Sequence, residues 1–593
     1  MRQLTDYEIS ELQERGCQAE DWLSVFVADD FVPDRVSNVR FFGTVEIGSL
    51  TGHIEMEEGF VRSSGLSNVT LHNVTVGDGC LIENVSGYIS DYNIGDRCCI
   101  CNVGIISATG SLNFGIGNIV SVLNEGGDGN VVIFDRLTAQ LAWLMIHDAN
   151  VRRLVMREVN EAGSGRRGEI GNDVRILMSG EISNVCIGDS CEVHGASRLS
   201  MSTIQSSDDA PSYIGTDVIM ENSVAACGAS VVDGAKVNNC FIGETVHIGR
   251  GFSAESSLFF ANSYMDNGEA CASFCGPFST SHHKSSLLIG GMFSFYNAGS
   301  ATNQSNHAYK MGPVHWGVLD RGSKTASGCH IIWPATIGAF SMVMGKVSEH
   351  PDVRSLPFSY VIGNGTKTYI VPGINLSTVG TWRDVGKWPK RDKRPASAMR
   401  DMVNCAFPNP YVMQYVAEGK DLLRRLVAEQ GEQCEEYTYG KCFIKRSALL
   451  RGMKYYDLAV KLFVHSVMHS TGLACADAGG SDQWLDVAGM LAPKREIERL
   501  LSDVEYGVVV NTEELIHNLQ QIHQDYDSYA AGYARSLIQR SEGNMFYDED
   551  KWRKEADEAY SWWLNMIRSD AEKEYAMGDV DETMLRDFLD NVK

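Results

Sequence analysis

Five of the fifteen histidines fall between Phe274 and His330: His282, His283, His307, His315 and His330. Imidazole titrates nearest neutrality, so it can take a proton from a hydroxyl or amine, ligate a metal, or make a plain polar contact. His307, in ATNQSNHAYKMG, is the first candidate for a general base and His283, in STSHHKSS, the second. Asn303, Ser305, Asn306 and His315 are candidates to hold an acceptor, and Lys310 or Lys324 to meet a phosphate. Further on, TWRDVGKWPKRDKRP sets Arg383, Lys387, Lys390, Arg391, Lys393 and Arg394 against only Asp384 and Asp392. Arg383 and Lys387 would meet a polyphosphate if this segment folds back. Gly322-Ser323-Lys324-Thr325 is no phosphate loop, because its spacing is one residue too long and no strand, loop and helix surround it.

A repeat must position these residues. Val76-Gly77-Asp78-Gly79-Cys80 returns after eighteen residues as Ile94-Gly95-Asp96-Arg97-Cys98, and Asn84-Val85 returns as Asn102-Val103. Further Ile-Gly steps start at Ile170, Ile187, Ile214 and Ile242. Eighteen is three hexapeptides, each with an inward aliphatic and a small inward partner, which predicts three short strands per turn of a solenoid. The glycine after each aliphatic is expected at a tight corner with positive φ. Asn38, Asn68, Asn73, Asn84 and Asn102 are expected at left-handed corners, which asparagine tolerates. Cys80, Cys98, Cys191 and Cys240 read as small buried core residues rather than paired ligands.

At 593 residues and 44% hydrophobic composition the chain is large enough for several domains. A net charge of minus 25 argues against general binding to nucleic acid or anionic membrane, which needs a basic face. No stretch is apolar enough to span a bilayer, and MRQLTDYEISELQERG has no apolar signal core, so a reducing cytoplasm is expected.

The repeat resembles the hexapeptide-repeat, left-handed β-helix superfamily, and the handedness follows from that resemblance. Gly328 to Gly345, GCHIIWPATIGAFSMVMG, is similar to the terminal coils of its O-acetyltransferases. The resemblance implies acyl transfer, with acetyl-CoA as co-substrate, a sugar or sugar-nucleotide hydroxyl or amine as acceptor, and a homotrimer. It implies a catalytic histidine in the irregular stretch before the last coils, where His307 and His283 lie, and CoA contacts for Arg383 and Lys387. No metal is expected. The alternative is a sugar-nucleotide-binding or scaffold β-helix without catalysis. A third reading, resembling the γ-class carbonic anhydrases, gives zinc to His307, His315 and His330.

The expected organisation is a β-solenoid plus α: a helical lead-in over 1–34, coils over 35–123, a helical insertion over 124–169 and coils over 170–380. A basic linker over 381–395 and an all-α domain over 396–593 follow. Thr5 and Glu8 form a capping box for a short first helix. Helices are expected over Arg136 to Glu161, Tyr411 to Glu429, Ser447 to His469, Arg495 to Val504, Thr512 to Arg540 and Glu549 to Met577. The stripe Tyr455, Leu458, Leu462 and Val467 reads as bundle core.

Overall fold

A computed structural model describes residues 1–110, 112–123, 129–162, 167–305, 315–474, 477–543, 546–578 and 582–592. The chain winds into a parallel β-solenoid of about 18 turns followed by a helical region. Early coils keep the eighteen-residue period, with Val76 opposite Ile94. Later coils shorten to seventeen, so that Tyr213, Ser230, His247 and Tyr264 stack in register. Each turn presents three faces. The first carries Tyr264, Thr280, Asn297, Lys324 and Met342, and the second Glu269, Leu287, Asn303, His330 and Lys346. The third carries Leu258, Phe274, Met292, Val318 and Thr336.

The corner asparagines stand where the sequence places them. Asn38, Asn68, Asn73, Asn84 and Asn102 have φ between 52° and 57°. Their amides also stack, Asn68 Nδ2 donating to Asn84 at 2.9 Å and Asn84 Nδ2 to Asn102 at 3.2 Å. The glycine expectation needs correction. Positive φ falls two residues later, at Gly79, Arg97, Asp173 and Ser190, and not at Gly77, Gly95, Gly171 or Gly188. Those glycines serve close approach: a Cβ on Gly77 would lie 2.6 Å from the Gly95 carbonyl carbon, and one on Gly95 would lie 2.7 Å from that of Gly171. The buried thiols fit the same corners, Cys98 Sγ donating to the Gly171 carbonyl at 3.0 Å. Burial pushes the Cys191 thiol up to about 12, as expected of inert core cysteine.

Helix α1 (Asp6–Glu14) opens on the expected capping box, Thr5 accepting from the Glu8 amide at 3.3 Å and Glu8 accepting from Thr5 at 2.8 Å. The lead-in is not wholly helical, since Val25–Val27 already pairs with Val45 to Ile47 as a coil strand. The insertion holds a hairpin and two helices rather than one, α2 (Ala139–His147) and α3 (Ala149–Ala162). Asp148 splits them by accepting from the amides of Asn150 and Val151, which opens α3. The coil then resumes in register, Gly168 opposite Tyr92.

The expected basic linker is instead helix α4 (Val379–Arg391), capped by Thr378. Trp382, Val385 and Trp388 recur at helical spacing and pack on the core, an amphipathic signal masked by the surrounding charges. Pro389 lies in the last turn, where its missing N–H costs one bond only. Beyond it come α5 (Pro410–Gln430), α6 (Arg446–His469), α7 (Lys494–Glu505), α8 (Thr512–Gln524), α9 (Tyr526–Glu542), α10 (Glu549–Met577) and α11 (Glu582–Asn591). The predicted helix over Thr512 to Arg540 is broken at Asp525, and two hairpins interrupt the helical region.

Residues 392 to 404 join the parts. Arg394 donates to the buried Glu244 at 3.0 Å and to Asp392 at 2.8 Å. Asp401 accepts from the amides of Ala139, at the start of α2, and Ala261, on the solenoid. Gln140, fully buried, exchanges hydrogen bonds with the Met402 backbone and donates to the Val487 and Ala488 carbonyls.

Candidate functional site

Helix α4 runs back along the corner between the third and first faces. Phe278, Phe295, Phe340 and Phe358 occupy that corner at φ between 50° and 58°, and neighbouring rings stack 5.5 Å and 5.3 Å apart. In the intervening coil the corner residue is Gly322, where a Cβ would meet the Phe340 ring at 2.5 Å. The ladder therefore has a gap, and Trp388 touches the rings on both sides of it, 4.7 Å from Phe295 and 6.1 Å from Phe340. Lys324 pairs with Asp384 one turn earlier, and Asn262 donates to Asp392 at 2.9 Å just beyond the helix.

This docking turns the other side of α4 toward α6, α10 and α11. Between them lies a cavity of about 880 Å³. Arg383, Lys387 and Lys390 line one wall, with Trp382, Phe407, Tyr560, Trp563 and Phe588 supplying aromatic surface and His465 and His469 facing from α6. The carboxylate of Asp384 is shared, lying 3.7 Å from Arg383 and 3.8 Å from Lys387 and also bound to Lys324. Partial burial and then the like charge of Arg383 push the Lys387 ammonium below its usual pKa. Positive charge here exceeds its internal partners, and aromatic surface lines the same cavity. Such an arrangement accepts an anionic group attached to a flat ring.

On the far wall His465 stacks against Tyr560, ring centroids 4.2 Å apart and 5° from parallel. His469 Nε2 lies 2.8 Å from Asp557 Oδ1, and His465 Nε2 lies 3.5 Å from the same oxygen. Burial, then the neighbouring His469 ring, hold the His465 imidazole below its ordinary pKa.

The expected constellation is divided. Arg383, Lys387 and Lys324 come together, although Lys324 is neutralised by Asp384 rather than free for a phosphate. Asn303 and Ser305 point outward on the second face, where Asn303 stands between Leu287 and His330. His283 is exposed at the corner joining the first and second faces, its ring 4.2 Å from that of His282. Burial and then the charge of His283 lower the pKa of His282, and Arg391 at the end of α4 contributes to the same shift. His315 is half-buried beside the exposed Trp316. His330 is half-buried under Lys346. Asn306, His307 and Lys310 lie outside the described residues.

Sequence reasoning missed two groups. His465 and His469 stand four apart, the spacing that puts two imidazoles on one helix face, but the apolar stripe through the same helix drew attention to its core. His247 stacks on Tyr264 at 4.4 Å and approaches the buried Asp266 at 3.2 Å, a pairing made by consecutive coils and invisible without the seventeen-residue register.

Residues 1–427 match the family described as "Domain of unknown function (DUF4954)". The chain belongs to that family. Residues 468–580 match a second, "Domain of unknown function (DUF6819)". An "Uncharacterized protein" of Treponema pallidum (strain Nichols) is 23% identical over 90% of this chain and 80% of its own length. The cavity is built across the two matched regions, with α4 and Phe407 from the first and His469, Tyr560 and Trp563 from the second. No helix among the described residues is long and apolar enough to cross a membrane.

Proposed function

We propose that the cavity binds a phosphorylated ligand with an aromatic ring, of the nucleotide type, and that the protein is an acyltransferase using a CoA thioester. The observation carrying this reading is one cavity lined by Arg383, Lys387 and Lys390 of α4, with Trp382 beside them, and by Tyr560 and Trp563 of α10. The β-solenoid and its terminal coils support the acyl-transfer part by resemblance. An acceptor hydroxyl or amine of a sugar or sugar nucleotide attacks the thioester carbon, a histidine takes the acceptor's proton, and the thiolate leaves and receives a proton to give free CoA. His283 and His307 are the bases this reading names, and it expects a homotrimer in the cytoplasm.

Calorimetric titration of the full chain with CoA and acetyl-CoA tests it. Saturable binding is expected, weakened at least about tenfold by Arg383→Ala or Lys387→Ala, as befits loss of a charge-assisted contact. Thiol release with a sugar-nucleotide acceptor then reports transfer, and light scattering reports the trimer. Absence of CoA binding by folded protein overturns the transferase. Binding unaffected by both substitutions overturns the placement, and binding of a sugar nucleotide without thiol release favours the non-catalytic β-helix.

A further inference from the structure

We propose that His465, His469 and Asp557 form a site for a divalent transition-metal ion at the rim of this cavity. The three offer ligand atoms that all lie within 4.8 Å of one another, the group with this property among the described residues. Two ligands come from successive turns of α6 and the third from α10, so the site bridges two long helices. Imidazole nitrogens with one carboxylate oxygen suit zinc, cobalt or nickel rather than magnesium or calcium, which prefer an all-oxygen shell.

The geometry is close to what such an ion needs. A tetrahedral ion with nitrogen and oxygen ligands about 2.0–2.1 Å away holds them about 3.4 Å from each other. His465 Nε2 and Asp557 Oδ1 are already 3.5 Å apart, longer than an ordinary hydrogen bond. His469 Nε2 and the same oxygen, at 2.8 Å, need only open slightly. The two imidazole rings lie side by side, 4.3 Å between centroids, and Tyr560 stacked on His465 fixes the first of them. One turn back, Lys461 and Glu555 form an ion pair at 3.0 Å that holds α6 against α10. Three protein ligands leave a coordination position open. Both histidines line the cavity, so that position is available to water or to a donor atom of a bound ligand. The inference goes beyond the nucleotide reading and does not depend on it.

The full chain, stripped with a chelator and dialysed, is titrated with Zn²⁺ by calorimetry and with Co²⁺ by visible absorption. One equivalent is expected, with a tetrahedral cobalt spectrum and a rise in the unfolding temperature, since an ion bound only by the folded state stabilises it. His469→Ala and Asp557→Ala, both at half-exposed positions that tolerate truncation, are each expected to weaken binding about a hundredfold or more and to abolish the thermal shift. The exposed control His517→Ala is expected to bind as the wild type. Failure of the wild type to take up an equivalent overturns the site, as does an equivalent that persists in both His469→Ala and Asp557→Ala.

Discussion

At the scale of the residue, burial decides what the ionisable groups do. Asp320 is deeply buried, accepts from the Tyr411 hydroxyl at 3.0 Å, and has Arg354 Nε 3.8 Å from its second oxygen. Burial is the dominant influence and pushes its carboxyl up from 3.8 to about 6. The folded state therefore holds a proton that the unfolded chain releases near pH 4. The contribution of Asp320 to stability falls as pH rises from about 4 through about 6, then levels off. Urea midpoints at pH 4.5 and 6.5 check this, and Asp320→Asn is expected to remove on the order of 2 kcal/mol of that difference. The same scale explains what the sequence hid around the site. A histidine's chemistry depends on partners, and those of His465 and His247 come from residues 92 and 19 positions away, Asp557 and Asp266. The clustering of histidines before Gly328 was legible, but a cluster along the chain spreads over the corners and faces of a solenoid. His283 and His330 thus share a stretch of sequence and not a site.

At the scale of the element, the coils were legible because each one repeats the same physical requirement. An inward aliphatic, a small partner and a left-handed corner recur with fixed spacing, and Asn84 or Cys98 satisfies them visibly. Helices α5, α6, α7 and α10 were legible to within about one residue at their start for similar reasons of period. Helix α4 was not, because its four cations, the two that follow and its proline read as a linker, while its apolar residues are only three, Trp382, Val385 and Trp388, of which Trp388 meets the rings of the solenoid. What fixes α4 is a vacancy in the aromatic ladder at Gly322, which no local pattern announces. Trp388→Ala empties that vacancy. It is expected to destabilise the protein by about 2 kcal/mol, less than a fully buried tryptophan would, as read by urea unfolding. Because Trp388 and Arg383 belong to one helix, the same substitution is expected to weaken CoA binding although Trp388 does not line the cavity.

At the scale of the whole molecule, solenoid, insertion and helical region are joined by buried polar contacts. Gln140 reaches backbone groups of residues 402, 487 and 488, which no solvent can satisfy in its absence. Gln140→Ala is expected to cost about 2–3 kcal/mol, since it strands those groups without partners. Coincident loss of far-ultraviolet circular dichroism and tryptophan fluorescence in the wild type would show that the parts unfold together, whereas separated transitions would show that this joint is weak. The division of the chain into a solenoid followed by helices could be read from periodicity. The way the parts embrace could not, because contacts such as Gln140 with Met402 span 262 positions and carry no repeat.

The backward course of α4 has a consequence for how a chain of this kind can change in length. A bare solenoid gains or loses a turn at little cost, since each turn sees only its neighbours. Here one stiff rod and its continuation touch Lys324, Phe295, Asn262 and Glu244 in succession, as a gauge laid across the threads of a screw. An added turn anywhere in that span would displace every later thread by about 4.8 Å and leave the gauge misread. Duplication and loss of turns are thereby opposed in the coils between Glu244 and Lys324, and the pitch count beneath the cavity is held constant by the helix that forms its wall.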